Sequence, residues 1–186
     1  MAGTTEGNPS FGIRPLDVDD GARFVQLVTE LSDESHRFLK EHLDPSEEAF
    51  ERILRAPSRR LVAVRPDGAI VGLAGAFPGT GWSAHVAELR IVVANAWRGK
   101  GVGRALARAA LLEAWEMGCS HSFVEVVAEQ EALVDMFQDM GFEPEALLVD
   151  FVRDEAGQCH DLMLLTHRTD HVPEPVEVLD LEVALP

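Results

Sequence analysis

The sequence predicts an α/β chain of the α+β kind, with a mixed, mostly antiparallel central sheet of about seven strands and helices on both faces. Three observations carry this. Arg60 to Phe77 alternates as two strand-like runs around Pro66-Asp67-Gly68, a composition that reverses a chain. Glu145 to Thr166 does the same around Asp154-Glu155-Ala156-Gly157. Between them, an apolar β-branched strand runs into a glycine-rich turn and then an alanine- and leucine-rich helix.

Met1 to Ser10 is polar and reads as a disordered leader. Phe11 to Leu16 suits a first strand, and Asp17 suits the N-cap of a helix reaching about Leu31. Its expected buried stripe is Ala22, Val25, Leu27, Val28 and Leu31. Residues 32 to 44 are polar with spaced aromatics, fitting short helix and loop. Pro45-Ser46-Glu47-Glu48 opens a second helix to about Arg55, with Ala49, Phe50, Ile53 and Leu54 inward. After the first hairpin, Ala84 to Ala94 is the central strand. The next helix spans about Gly101 to Met117 and is expected to bury Val102, Ala105, Leu106, Ala109 and Leu112 before Gly118 ends it. His121 to Val127 is a strand, Glu129 to Met140 a helix closed by Gly141-Phe142, and the final hairpin follows.

A length of 186 residues suits one domain, from about residue 11 to 168. With 46% hydrophobic and 26% charged residues, the composition is that of a globular chain. The formal net charge of −16 argues against nucleic-acid or anionic-membrane partners and favours an amine-bearing acceptor, a basic protein surface among the candidates. Two cysteines, no basic-then-apolar leader and no membrane-length apolar run make the cytoplasm the expected compartment. Cys159-His160-Asp161 are consecutive on a strand, so they alternate faces and cannot jointly bind one metal; no metal site is expected. Residues 170 to 186 carry five acids and no base among spaced apolar residues. A solvated acidic tail and an extra strand at a sheet edge both fit this C-terminal segment, which begins at residue 169.

The chemistry concentrates in the central stretch. The chain has 32 acids, none of them between Leu89 and Leu112, where Arg90, Arg98, Lys100, Arg104 and Arg108 lie. Strand, glycine turn and helix together aim bare backbone N–H groups at an anion, and phosphate is the anion these bases suit. A glycine-rich turn with ordinary surface arginines is the competing explanation. The glycines match neither Gly-x-Gly-x-x-Gly nor Gly-x-x-x-x-Gly-Lys-Ser/Thr, which excludes the dinucleotide and P-loop patterns.

Arg98, Gly101 and Gly103 instead fit Arg/Gln-x-x-Gly-x-Gly/Ala at a strand-to-helix turn, which resembles the signature of the GNAT N-acetyltransferase superfamily. Met136-Phe137-Gln138-Asp139-Met140-Gly141-Phe142 is similar to the same family's closing Leu-Tyr-x-x-x-Gly-Phe. The resemblance covers roughly residues 11 to 168 and implies the GNAT fold. It implies acetyl-coenzyme A as cosubstrate, its pyrophosphate held by Arg98, Gly99, Lys100, Gly101, Val102, Gly103 and Arg104. It also implies that main-chain groups of Ile91, Val92 and Val93 line the cofactor, with the carbonyl-polarising N–H near Val92 or Val93. Gln130 and Phe137 fall where the family commonly places an asparagine and a tyrosine beside the cofactor; this chain has no tyrosine, so its leaving thiolate lacks that acid. Thiols ionise near pH ~8.5, so departure without an acid is chemically reasonable.

Glu88 opens the central strand and, by the same resemblance, is the base that takes a proton from the acceptor amine. Trp82, His85 and Ser35-His36-Arg37-Phe38 map to the acceptor side. Val92-Val93-Ala94-Asn95-Ala96-Trp97, with Leu31-Ser32 leading to Arg37-Phe38, is locally similar to the acetyltransferase domain of bacterial Pat-type protein-lysine acetyltransferases. The favoured acceptor is accordingly a protein lysine. A polyamine-like small amine is the alternative, and a non-catalytic acyl-coenzyme A sensor is the rival outside enzymes. Family precedent adds a homodimer to the expectations.

Overall fold

The computed structural model describes residues 10–32, 37–41 and 43–169. The expected leader (but for Ser10), Ser35-His36 and the C-terminal tail beyond Thr169 lie outside the described residues. The order is β1 (Gly12–Pro15), α1 (Gly21–Thr29), α2 (Glu47–Arg55), β2 (Arg59–Val64), β3 (Ile70–Pro78), β4 (Val86–Val93), α3 (Val102–Glu116), β5 (His121–Val127), α4 (Glu131–Gln138), β6 (Glu143–Arg153) and β7 (Cys159–Arg168). The strands form one sheet in the order β1-β2-β3-β4-β5-β7-β6. Every pairing is antiparallel except β4 with β5.

Side-chain alternation gives the sheet two apolar faces. On one, Val62, Leu73 and Val92 meet Phe24, Leu27 and Val28 of α1 and Phe50 and Ile53 of α2. On the other, Leu61, Ala63, Ala87 and Leu89 meet α3 and Phe137 of α4. Asp17 caps a short 3-10 turn, Val18–Asp20, which leads directly into α1. Asp20 is fully buried, and Arg14 donates to both of its carboxylate oxygens at 2.6 and 2.7 Å. Ser46 caps α2 through the Ala49 N–H at 3.2 Å.

Two helices bury faces other than those expected. In α1, Phe24 takes the inward place assigned to Ala22, which is exposed. In α3 the buried residues are Val102, Leu106, Ala107, Ala110 and Ala114, whereas Leu112 is 54% exposed. The reason is contact distance. A Cβ added at Gly72 of β3 would lie 2.7 Å from Leu106 Cδ1, so α3 rides close to the sheet. Alanines fit beneath a helix held that near, and the bulkier leucine is turned out.

This rotated face is directly testable. Leu106→Ala should cost about 2–5 kcal/mol in urea unfolding, whereas Leu112→Ala should stay within about 0.5 kcal/mol. Equal costs would contradict the placement of α3.

Candidate active site

Parallel pairing of β4 with β5 covers only Val86↔His121, Ala87↔Ser122 and Glu88↔Phe123, although β4 continues to Val93 and β5 to Val127. Beyond Glu88 the two strands part. Ala94 donates to Val71 O of β3 at 2.9 Å, while His85 accepts from the His121 N–H on the β5 side at 3.1 Å. Alternation along β4 therefore turns the N–H groups of Ile91 and Val93 into the opening and that of Val92 toward β3. Of the two residues expected to offer a carbonyl-polarising N–H, strand parity turns that of Val93 into the opening and that of Val92 toward β3. The Val92 side chain is 8% exposed, in the core facing α1 and α2. Among the described residues the β4–β5 ladder reaches neither amide, and an amide so placed takes its acceptor from solvent or ligand.

The glycine turn closes the far end of this opening. Gly99 and Gly101 have φ of 71° and 83°, a conformation that disfavours any side chain. Gly101 is the N-cap of α3; no side chain caps the helix and no acid lies in its first turn. Ala105 N–H to Gly101 O, 3.0 Å, is the first bond of the helix, so the N–H groups of Val102, Gly103 and Arg104 lack intrahelical acceptors. With the helix dipole, this end is suited to an anion. A Cβ on Gly103 would lie 3.7 Å from both Val93 Cγ2 and Met136 Sδ, which joins the turn, the end of β4 and α4 in one place. Lys100 Nζ lies 5.2 Å from the Trp97 ring centroid. Arg104 reaches Asp139 at 2.7 Å, tying the first turn of α3 to the end of α4.

Gln130 is the N-cap of α4 and makes no capping bond through its side chain. Phe137 is 3% exposed and stacks edge-on against Phe142, with centroids 5.1 Å apart. It acts here as core and presents no proton donor.

Glu88 sits at the mouth of the opening, its side chain 12% exposed. Arg90 grips it with two bonds, Nε–Oε1 and Nη2–Oε2, both 2.8 Å. Lys40 Nζ lies 3.1 Å from Glu88 Oε1 and 2.7 Å from Glu125 Oε2, crossing from β4 to β5. Arg60 and Arg90 approach the Phe77 ring at 4.4 and 4.2 Å, and Arg60 holds both oxygens of Glu41. Burial pushes the Glu88 carboxyl upward, but the bonds from Arg90 and Lys40 together leave its pKa below the ordinary value.

A second polar cluster anchors the segment that delivers Lys40. His160 is 5% exposed and bonds Glu129 at 2.9 Å and Asp154 at 3.2 Å. Arg37 Nε donates to Asp154 Oδ2 at 2.6 Å, and Phe38 meets the His160 ring edge-on. Hydrogen bonds accepted by Glu129 first, then by Asp154, raise the His160 pKa. Neither cluster was foreseen from the sequence, because each draws in members from distant parts of the chain, Lys40 onto Glu88 and Arg37 onto Asp154. Trp82 is 97% exposed, on a 3-10 turn after β3.

Residues 25–142, more than half of the chain, match the model of the acetyltransferase (GNAT) family. The chain is 30% identical over 101 residues to the uncharacterized N-acetyltransferase YjgM of Escherichia coli K12, covering 54% of the chain and 60% of that protein. It is 38% identical over 87 residues to a streptothricin acetyltransferase of Streptomyces lavendulae, covering 47% of the chain and 46% of that protein. The alignments therefore span less than two thirds of either relative. In fold it is similar to yncA of Salmonella typhimurium, solved with its cofactor acetyl-CoA, with a TM-score of 0.71 and 19% identity over 89% of this chain and 97% of that one.

A depressed Glu88 pKa has a definite pH signature. The stability that ionised Glu88 contributes is present above its unfolded pKa of about 4.3 and is lost as pH falls through the lower folded value. The destabilisation caused by Glu88→Gln should therefore shrink between neutral pH and pH ~3. A destabilisation that does not depend on pH would contradict the ion-paired state.

Proposed function

Since the chain belongs to the acetyltransferase (GNAT) family, we propose that it transfers an acetyl group from acetyl-coenzyme A to a primary amine, favouring a lysine-like acceptor. The observation that carries this is the opening between β4 and β5, with an uncapped helix N-terminus at one end and Glu88 at the other. Gly99 to Arg104 suit the pyrophosphate through backbone N–H groups, with Lys100 and Arg104 adding charge. The acyl-bearing arm runs along β4, bonding the amides that face the opening. Ile91, about 10 Å along the strand from Glu88, is the residue suited to polarise the thioester carbonyl, and Val93 holds the next part of the arm.

The acceptor enters from the side of Lys40 and Glu41, where Glu88, Glu125 and Glu41 attract a cation. The amine gives its proton to Glu88, directly or through water, and its nitrogen forms a bond to the carbonyl carbon. The C–S bond then breaks toward sulfur. Phe137 offers no proton, so the thiolate takes one from solvent. The low Glu88 pKa makes the carboxylate a weak base and a firm anchor for an ammonium, which favours proton removal late in the attack. A protein lysine fits the charge of −16; a polyamine-like amine is the other acceptor in this class. The absent tyrosine keeps a non-catalytic acyl-coenzyme A sensor as the contrasting model.

Acetyl-coenzyme A at 100 times its dissociation constant should stabilise the chain by about 2.7 kcal/mol, visible as a melting shift that Gly101→Glu abolishes. Glu88→Gln should retain that shift while lowering turnover with amine acceptors by about 10²–10⁴. A shift with no turnover in the wild type, across protein-lysine and polyamine acceptors, would favour the sensor. No shift would overturn the proposal.

A further inference from the structure

Lys40 is one of only two lysines in a chain that carries 16 basic residues; the other is Lys100. Its ammonium spans the mouth of the β4–β5 opening, bonded to Glu88 on one strand and Glu125 on the other. The segment bearing it is fixed upstream by Arg37, bonded to buried Asp154. Next to Lys40, Glu41 holds Arg60, whose side chain is 5% exposed. Lys40 itself keeps 46% of its side chain accessible, so the ammonium is held in place yet open to solvent.

An arginine there could satisfy the same carboxylates, as arginine does at most basic positions of this chain. An alkyl ammonium resting on the proposed base is instead what an acceptor would place in this site. We propose that Lys40 is an acetylation site modified by the chain's own active site, a primary amine tethered where the acceptor amine binds.

This rests on the acetyl-coenzyme A activity proposed above. The step balances without any other reagent. A proton leaves Lys40 Nζ for Glu88 or water, and the freed lone pair attacks the thioester carbonyl carbon. An N–C bond forms, the nitrogen gives up a second proton, and the C–S bond breaks with its electrons on sulfur; of the two protons released, one ends on the coenzyme A thiol and the other in solvent. The products are Nε-acetyl-Lys40 and coenzyme A.

Modification also changes the site. Acetyl-Lys40 carries no charge, so Glu88 and Glu125 lose their shared cation and can take an incoming ammonium instead. One of the interactions that lower the Glu88 pKa disappears with it. Glu88 becomes a stronger base once Lys40 is capped, so self-acetylation would prepare the site for an external amine.

The test uses the full chain with trideuteroacetyl-coenzyme A and no acceptor, followed by peptide mass mapping. The heavy label distinguishes new acetylation from any acquired during expression. Lys100, beside the proposed pyrophosphate site, is the internal reference for uncatalysed acylation. Lys40 should label at least about a hundredfold faster than Lys100, the lower end of what a positioned base supplies. The rate per molecule should not change on dilution, and Glu88→Gln should lower it by a similar factor. Thermal stabilisation by acetyl-coenzyme A is measured on the same samples. Stabilisation with Lys40 labelled no faster than Lys100 overturns self-acetylation and leaves the acetyltransferase proposal standing. Labelling that slows on dilution overturns the tethered route. Absence of both stabilisation and label overturns both proposals together.

Discussion

Three residue pairs of parallel ladder hold β4 to β5, and the proposed site depends on the ladder ending there. Had the pairing continued to Val93, the amides of Ile91 and Val93 would be spent on sheet bonds and no slot would exist. The antiparallel neighbours are built differently. β3 follows β4 over seven consecutive residues, from Gly72↔Val93 to Pro78↔Ala87. On the other side, β7 follows β5 along its full length, from His121↔Arg168 to Val127↔Leu162. Each strand of the opening is thus braced from outside by an antiparallel neighbour.

Electrostatics divides the opening into two ends. At the glycine turn, an acidic chain presents bare N–H groups and bases, with no acid in the first turn of α3. At the other end, Glu41, Glu88 and Glu125 are interleaved with Lys40, Arg60 and Arg90. One end therefore presents backbone donors and bases, and the other carboxylates already paired with cations. Phe77, with a guanidinium over its ring from each of two strands, keeps Arg90 in line with Glu88.

The order of strands and helices, the hairpins and the glycine turn were legible because their signals are local. Pro66-Asp67-Gly68, Ser46 before Glu47, and the glycines after Arg98 each carry their meaning within a few residues. The position of Glu88 near the start of a strand leading into that turn was legible too. The buried face of α3 was not. Alanines and leucines there satisfy more than one helical stripe, and the choice depends on how closely Gly72 lets Leu106 approach. The bridge from Glu88 through Lys40 to Glu125 was also out of reach, since its three members lie far apart along the chain. Arg37 and Asp154 meet across 117 residues. Strand parity gave what a motif could not, by separating Val93 and Ile91 from Val92.

Residue-resolved amide exchange, with and without acetyl-coenzyme A, tests the opening most directly. In the free chain the amides of Ile91 and Val93 should exchange quickly, and those of Val92 and Ala94, bonded toward β3, slowly. Acetyl-coenzyme A should then slow Ile91, Val93 and the amides of Val102 to Arg104, leaving Val92 and Ala94 as they were. Protection of Ile91 and Val93 in the free chain, or no change at either residue with the coenzyme bound, would contradict the account.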